Sequence, residues 1–240
     1  MKLEYRIKKT ISQFVPLSFL QFLKKIYDSF FYTHLKGKKK FWQWNSRVIY
    51  PHYFNKASII YSGGVWGNIS FEKQLATAYN AEIYLFDPSP TGIETMQLPE
   101  NQNPHLHFFP YGFAWADKDY FFDDPTDYND GSFHLAKKHH TMKTYSFPCK
   151  SLSNLCKNSG HHHIDLLKID IEWFEYEVLE DILKSDIPVH QICVEFHDFF
   201  DHIPLSKTMW LLQLLKELGY VTIHKHMKDY TFLHQSKIHE

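Results

Sequence analysis

The sequence predicts a doubly wound α/β domain with a mostly parallel sheet and an antiparallel last strand, preceded by a helical arm. Three observations predict it. Apolar runs of strand length alternate with stretches of helical period across residues 51–240. The run Ile164-Asp-Leu-Leu-Lys-Ile-Asp-Ile-Glu172 passes into helical spacing at Phe174, Val178, Leu179, Ile182 and Leu183, which marks a strand feeding a helix. The amino-terminal end carries the opposite charge to the rest. Residues 1–41 hold ten basic side chains against Glu4 and Asp28, a net +8, so the remainder of the −1 chain carries −9.

That contrast sets residues 1–50 apart as a basic, amphipathic helical arm, with the α/β domain over 51–240. Pro16 suits a first helical turn, and Phe19, Leu23, Ile26, Tyr27, Phe30 and Phe31 follow helical spacing. Lys24 interrupts the apolar run too early for it to span a bilayer, and no small-residue cleavage site follows. The arm is read first as a helix packed on the domain or on a second copy. Its charge leaves a peripheral membrane contact through residues 14–41 open. Cys149, Cys156 and Cys193 form no CxxC pair, so no disulfide and a cytoplasmic location are expected. Of the seventeen histidines, His161-His162-His163 lies beside Gly160 and reads as a solvated loop, not a metal site.

Residues 58–62 form the first core strand of the domain, followed by the turn Gly63-Gly-Val-Trp-Gly67. Asn68 or Ser70 then caps a helix covering Phe71 to Tyr79. Strand, glycine turn and helix open a nucleotide-binding unit, because glycine lets a backbone approach a ligand closely. The next strand, Glu82-Ile-Tyr-Leu-Phe-Asp87, ends in an acid 20 residues after Gly67, placed to accept both hydroxyls of a ribose. A turn, Asp-Pro-Ser-Pro, follows. His105 to Ala114 reads as a third strand, with Gly112 leaving room for a flat ligand and Asp117 placed to meet an exocyclic amine.

Residues 119–150, rich in turn formers and aromatics, read as an insertion over the ligand edge. A short helix at Ser151–Asn158 precedes the central strand, which puts Leu166, Lys168 and Asp170 on one face and Leu167 and Ile169 on the other. A helix over 172–184 leads to Gln191-Ile-Cys-Val-Glu-Phe-His197, where Glu195 and His197 share a face. Leu205 to Leu218 is an amphipathic helix stopped by Gly219, and Tyr220–His226 with Tyr230–Leu233 form a closing antiparallel pair.

Taken together, Tyr61-Ser-Gly-Gly-Val-Trp-Gly-Asn-Ile-Ser-Phe-Glu72, Phe86-Asp-Pro88, Asp165-Leu-Leu-Lys-Ile-Asp-Ile-Glu172 with Glu175, and Val194-Glu-Phe-His197 resemble the FkbM-like methyltransferases. The resemblance covers roughly residues 55–235. It implies a class I, Rossmann-like sheet, S-adenosylmethionine (SAM) as cofactor, and methyl transfer to a hydroxyl of a sugar, glycan or small natural product. With the reading above, it places the cofactor against Ser62, Gly63, Gly64, Val65, Gly67, Asp87, Pro88, Gly112, Asp117 and Asp170. Two positions depart from the family's usual pattern, Trp66 in the first loop and Trp173 after Asp-Ile-Glu, where glycine is common. Either the pocket is reshaped for another acceptor or SAM binding is impaired, so the alternative is a degenerate binding module tethered by the basic arm.

A hydroxyl acceptor gains from a base that takes its proton as the bond forms. His197 is the first candidate, since histidine titrates near neutral pH. Asp170, Glu172 and Glu195 are the others, and Asp170, Glu195 and His197 also have the ligand types of a divalent-ion site. The first loop lacks the Gly-x-Gly-x-x-Gly of a nicotinamide-dinucleotide enzyme, and no Gly-Lys-Ser/Thr phosphate loop is present. An acidic domain argues against nucleic acid as the substrate.

Overall fold

The computed structural model describes residues 41–44, 47–123, 134–135, 144–172, 174–197 and 205–238. The expected helix within residues 1–40 lies outside the described residues. Of the last ten positions assigned to that arm, Trp42–Trp44 (β1) and Arg47–Ile49 (β2) are instead strands that pair antiparallel. Ile49 and Tyr50 are buried, and the Tyr50 amide donates to Gln191 Oε1 at 2.7 Å, so this segment belongs to the domain.

Among the described residues the main sheet has seven strands. They are Ile59–Gly63 (β3), Glu82–Phe86 (β4), Leu106–Phe109 (β5), Ile164–Ile169 (β10), Val189–Glu195 (β11), Tyr220–His226 (β12) and Asp229–His234 (β13). In space the order is β12-β13-β11-β10-β3-β4-β5. The five strands β5, β4, β3, β10 and β11 run parallel, and β13 inserts between β11 and β12 antiparallel to both. The order therefore reverses at β3/β10: the carboxyl ends of those two strands stay paired, the Asp170 amide donating to the Gly63 carbonyl at 3.2 Å, while the connections that leave them run to helices in different cores, which opens a crevice there. All six residues of β10 are buried, Asp165 and Lys168 included, as expected of a central parallel strand covered on both faces.

Among the described residues, five α-helices cover the sheet: Ser70–Tyr79 (α1), Pro90–Gln97 (α2), Leu152–Ser159 (α3), Glu175–Leu183 (α4) and Leu205–Glu217 (α5). Phe71, Leu75 and Ala76 of α1 and Met96 of α2 pack in one core with Ile60, Ile83 and Leu166. Leu152, Leu155, Val178, Leu179, Ile182, Leu211 and Leu215 from the other three helices pack with Leu167, Ile169 and Ile192 in a second. The result is a three-layer α/β/α sandwich.

Several local readings change. Neither Asn68 nor Ser70 is the N-cap of α1; Ile69 holds that position, while Asn68 Oδ1 accepts the Ser70 amide at 2.8 Å. The Asp-Pro-Ser-Pro turn starts a helix, because Ser89 Oγ accepts the Gly92 amide and Pro90 fills the first turn. The strand expected over His105–Ala114 breaks at Pro110 into β5 and Gly112–Ala114 (β6). β6 joins Lys118–Asp123 (β7), His134–Leu135 (β8) and Thr144–Ser151 (β9) in a separate sheet of order β6-β9-β7-β8.

Candidate functional site

A cavity of about 310 Å³ opens at the carboxyl edge of the sheet, at the β3/β10 reversal. Its floor is backbone. Gly64 adopts φ +81°, and a Cβ there would lie 1.8 Å from the Asp170 carbonyl oxygen, so no other residue fits without moving a strand end. Lys168, buried in β10, donates to the Gly64 carbonyl at 2.5 Å and lies 3.9 Å from Glu72 and 4.0 Å from Asp170. This lysine anchors the glycine loop from below.

Asp87 anchors the loop from the side. Its Oδ2 accepts the Val65 and Trp66 amides, both at 2.9 Å, and its Oδ1 accepts the Ser89 amide at 2.8 Å. A carboxylate offers about four acceptor positions, so roughly one stays available for a ribose hydroxyl. Gly92 is the complement of this arrangement, since a Cβ there would meet the Asp87 carboxyl carbon at 2.4 Å.

The walls are aromatic. Phe86 comes from the main sheet, Phe113, Phe122 and Phe147 from the second sheet, and Phe174 from the start of α4. Phe174 packs against Trp115, Tyr120 and Phe122 with ring centroids 5.2–5.6 Å apart. The polar lining is Asp87, Ser89, Asp170 and Glu172. Trp66 (φ +43°, 51% exposed) lines the cavity with an open side, while Trp173 lies outside the described residues.

Of the expected cofactor residues, Gly64, Asp87, Pro88, Gly112 and Asp170 line the cavity. Ser62, Gly63, Val65, Gly67 and Asp117 do not. Ser62 is buried and donates to Glu72 Oε1 at 2.6 Å, tying β3 to α1. Gly63 makes room for Phe113, whose ring would lie 2.5 Å from a Cβ, and Val65 is in the core. Gly67 has nothing within 4 Å of a Cβ. Gly112 is small because Cys149 Sγ would lie 2.7 Å from a Cβ. Asp117 is exposed and accepts the Ser151 amide at 2.8 Å.

The four expected catalytic residues are brought together, with a change in their chemistry. His197 is buried; its Nδ1 lies 2.7 Å from Glu175 Oε1, and its Nε2 lies 3.3 Å from Glu172 Oε2 and 3.9 Å from Glu195 Oε1. Burial disfavours its charged form, but the hydrogen bond and charge of Glu175, then Glu172 and Glu195, outweigh this and push it up to about 9. The expectation of a histidine titrating near neutrality is therefore corrected. At neutral pH His197 is an imidazolium held among carboxylates. Burial, then the charges of Asp170 and Asp229, raises Glu195 above the usual carboxylate range. Glu172 adopts φ +49°, a left-handed turn that carries the backbone around the cavity rim.

Sequence reasoning passed over Arg47. It reaches in from β2 and pairs with Asp170 Oδ2 at 2.8 Å, across 123 positions of sequence. Asp170, Glu195 and His197 bring ligand-type atoms within 4.8 Å of one another, but Arg47, Lys168 and Lys228 already stand beside these carboxylates and compete with a cation.

The lining suits SAM. Carboxylates and aromatic faces both attract a sulfonium cation, and the apolar walls fit a flat base.

No helix among the described residues is long and apolar enough to cross a membrane. The human "Probable methyltransferase-like protein 24" is 27% identical over 192 residues, which cover 76% of this chain and 44% of that protein, so the chain spans less than half of its relative's length. A solved structure from Thermoplasma acidophilum, assigned as a methyltransferase, covers 77% of this chain and 70% of that one. It does so at 7% identity and a TM-score of 0.36, too loose a likeness to bear on function. The model of the methyltransferase FkbM domain matches residues 61–222, from the middle of β3 into β12, and so takes in the glycine loop, Asp87, Asp170, Glu172 and His197. The chain belongs to the FkbM methyltransferase family.

Proposed function

We propose that the protein is a SAM-dependent O-methyltransferase acting on a hydroxyl of a sugar, glycan or small natural product. The observation that carries this reading is the cavity at the β3/β10 reversal, where Asp87, Asp170 and Glu172 face aromatic walls inside the segment matched to the family. SAM supplies a methyl group on a sulfonium, already a good leaving group, so the protein's task is alignment, exclusion of water and removal of one proton.

Asp87 and Gly64 shape the cofactor floor, and Asp170, held by Arg47, faces the same space. Glu172 both lines the cavity and reaches His197, which makes it the carboxylate best placed to act as base. With SAM bound, an acceptor oxygen bonding to the methyl carbon would pass its proton to Glu172, and the carbon–sulfur electron pair would stay on sulfur. His197, keeping its own proton, positions Glu172 together with Glu175. The aromatic walls keep the reaction out of bulk water.

Transfer of labelled methyl to a panel of hydroxyl acceptors tests the reading. With an acceptor that turns over, Glu172→Gln should lower kcat by about 10²-fold or more, the usual contribution of a general base, and change SAM affinity far less. Full activity of this variant would remove Glu172 as the base. Absence of transfer with intact SAM binding, over a broad panel, would favour a binding module tethered through the amino-terminal segment.

A further inference from the structure

The histidine triplet that reads as a solvated loop in the sequence gives one member to a cluster assembled by the sheet. His163 precedes β10, and Asp165 is two residues further on, within the strand. The parallel register pairs Ile164 with Val189 and Leu166 with Gln191, which sets Asp165 beside His190 of β11. The side chains meet. His163 Nε2 lies 3.2 Å from Asp165 Oδ2, and His190 Nδ1 lies 3.0 Å from Asp165 Oδ1, with the two imidazoles stacked at 5.2 Å. From these residues we infer that His163, Asp165 and His190 form a binding site for a divalent transition-metal ion, zinc foremost, at the end of the sheet opposite the cavity.

Two imidazoles and one carboxylate are a donor set that zinc accepts, and a fourth position facing solvent completes a tetrahedron. At Zn–N and Zn–O lengths of about 2.0–2.2 Å, neighbouring ligands of a tetrahedral ion stand about 3.3–3.5 Å apart. Each imidazole here faces its own oxygen of Asp165, His163 at Oδ2 and His190 at Oδ1, and one ligand atom from each of the three residues lies within 4.8 Å of the others, so a modest shift of the side chains would bring three donors onto one ion.

The carboxylate is also oriented from behind. Asp165 Oδ2 accepts the Ile59 amide at 2.8 Å, and the Tyr53 hydroxyl donates to the Asp165 carbonyl at 3.1 Å. The edge of the Tyr53 ring packs on His190 at 6.0 Å. Such outer contacts fix a ligand's direction before a metal arrives. Asp165 is nearly buried, whereas the His163 side chain is 38% exposed, which gives an entry path. His161 takes no part, since its Nδ1 faces the Tyr61 hydroxyl at 2.9 Å. Asp165 and Asp170 are five strand residues apart, or about 17 Å, so this site is separate from the cavity and independent of methyl transfer. An ion here would tie the starts of β10 and β11 together.

Calorimetric titration of the full chain with zinc chloride, after removal of metal by a chelator, tests the inference against His163→Gln, His190→Gln and, as a surface control, His226→Gln. The expected result is one tight site in the wild type and in His226→Gln. Each of the other two variants should lose it, with affinity falling by more than the roughly 10–100-fold that outer-shell changes cost. Zinc should also raise the wild-type Tm and leave the Tm of those two variants where it was. Retention of the tight site by either His163→Gln or His190→Gln would overturn the assignment. So would a wild-type titration showing only the weak binding left in the variants.

Discussion

The charge on His197 makes the protein's stability depend on alkaline pH in a way that can be calculated. Its raised value of about 9, against 6.5 for an ordinary histidine, means that the folded chain holds this proton more tightly than the unfolded one. For a raised group the stabilisation is complete below the unfolded pKa and disappears as pH climbs through the folded one. The shift is equivalent to about 3 kcal/mol in full, of which about 2 kcal/mol is lost between pH 7 and pH 9. Burial is nearly complete at both His197 and Glu175, so solvent screening takes little from this figure. The comparison is the double variant His197→Gln with Glu175→Gln, which replaces the buried pair by amides and avoids stranding one charge. Urea unfolding at pH 6, 7, 8 and 9 should show the wild type losing about 2 kcal/mol from pH 7 to 9 relative to the double variant. The imidazole proton resonances should titrate near 9 in the folded protein. Equal pH profiles for the two proteins, or an imidazole titrating at 6.5 or below, would refute the reasoning.

The glycine loop separates two positions that look alike in the sequence. Gly64→Ala should destabilise the chain by about 3 kcal/mol or more and abolish SAM binding, through a left-handed backbone and a clash with the Asp170 carbonyl. Gly67→Ala, with open space around its Cβ, should leave SAM affinity within about twofold; parallel calorimetry and urea unfolding check both. Asp87→Ala should release the Val65, Trp66 and Ser89 amides together. Each bond to a carboxylate contributes about 1.5–3 kcal/mol, so loss of the one left for a ribose hydroxyl should lower SAM affinity by about 10–150-fold, and a twofold change would sink the role given to Asp87.

The sheet and most of its helices were legible because period and punctuation are local. Strand alternation, the glycine turns after β3 and α5, and the change of period after Asp170 each lie within a few residues of the element they predict. The antiparallel pair β1 and β2 was not legible. Its tryptophans and arginine follow a lysine run, and its packing partners come from the far end of the chain. For the same reason Arg47 gave no sign of its pairing with Asp170, 123 residues away. Helix α2 did carry a signal, since Ser89-Pro90 is a cap followed by a first-turn proline, but the same residues also write a turn. The acids and His197 were recognisable as a group, yet their chemistry was not. Only the fold shows Glu175, one helical turn beyond Glu172, buried against His197 and fixing its proton. The aromatic walls had no sequence signature either, because their rings meet across two sheets.

Calorimetric titration of the folded protein with SAM, with NAD as the control, decides whether the cavity is a SAM site. The expectation is saturable binding of SAM at one site per chain and none of NAD, with the affinity falling at least tenfold in Asp87→Ala. Absence of SAM binding in a cooperatively folded wild-type protein would contradict it.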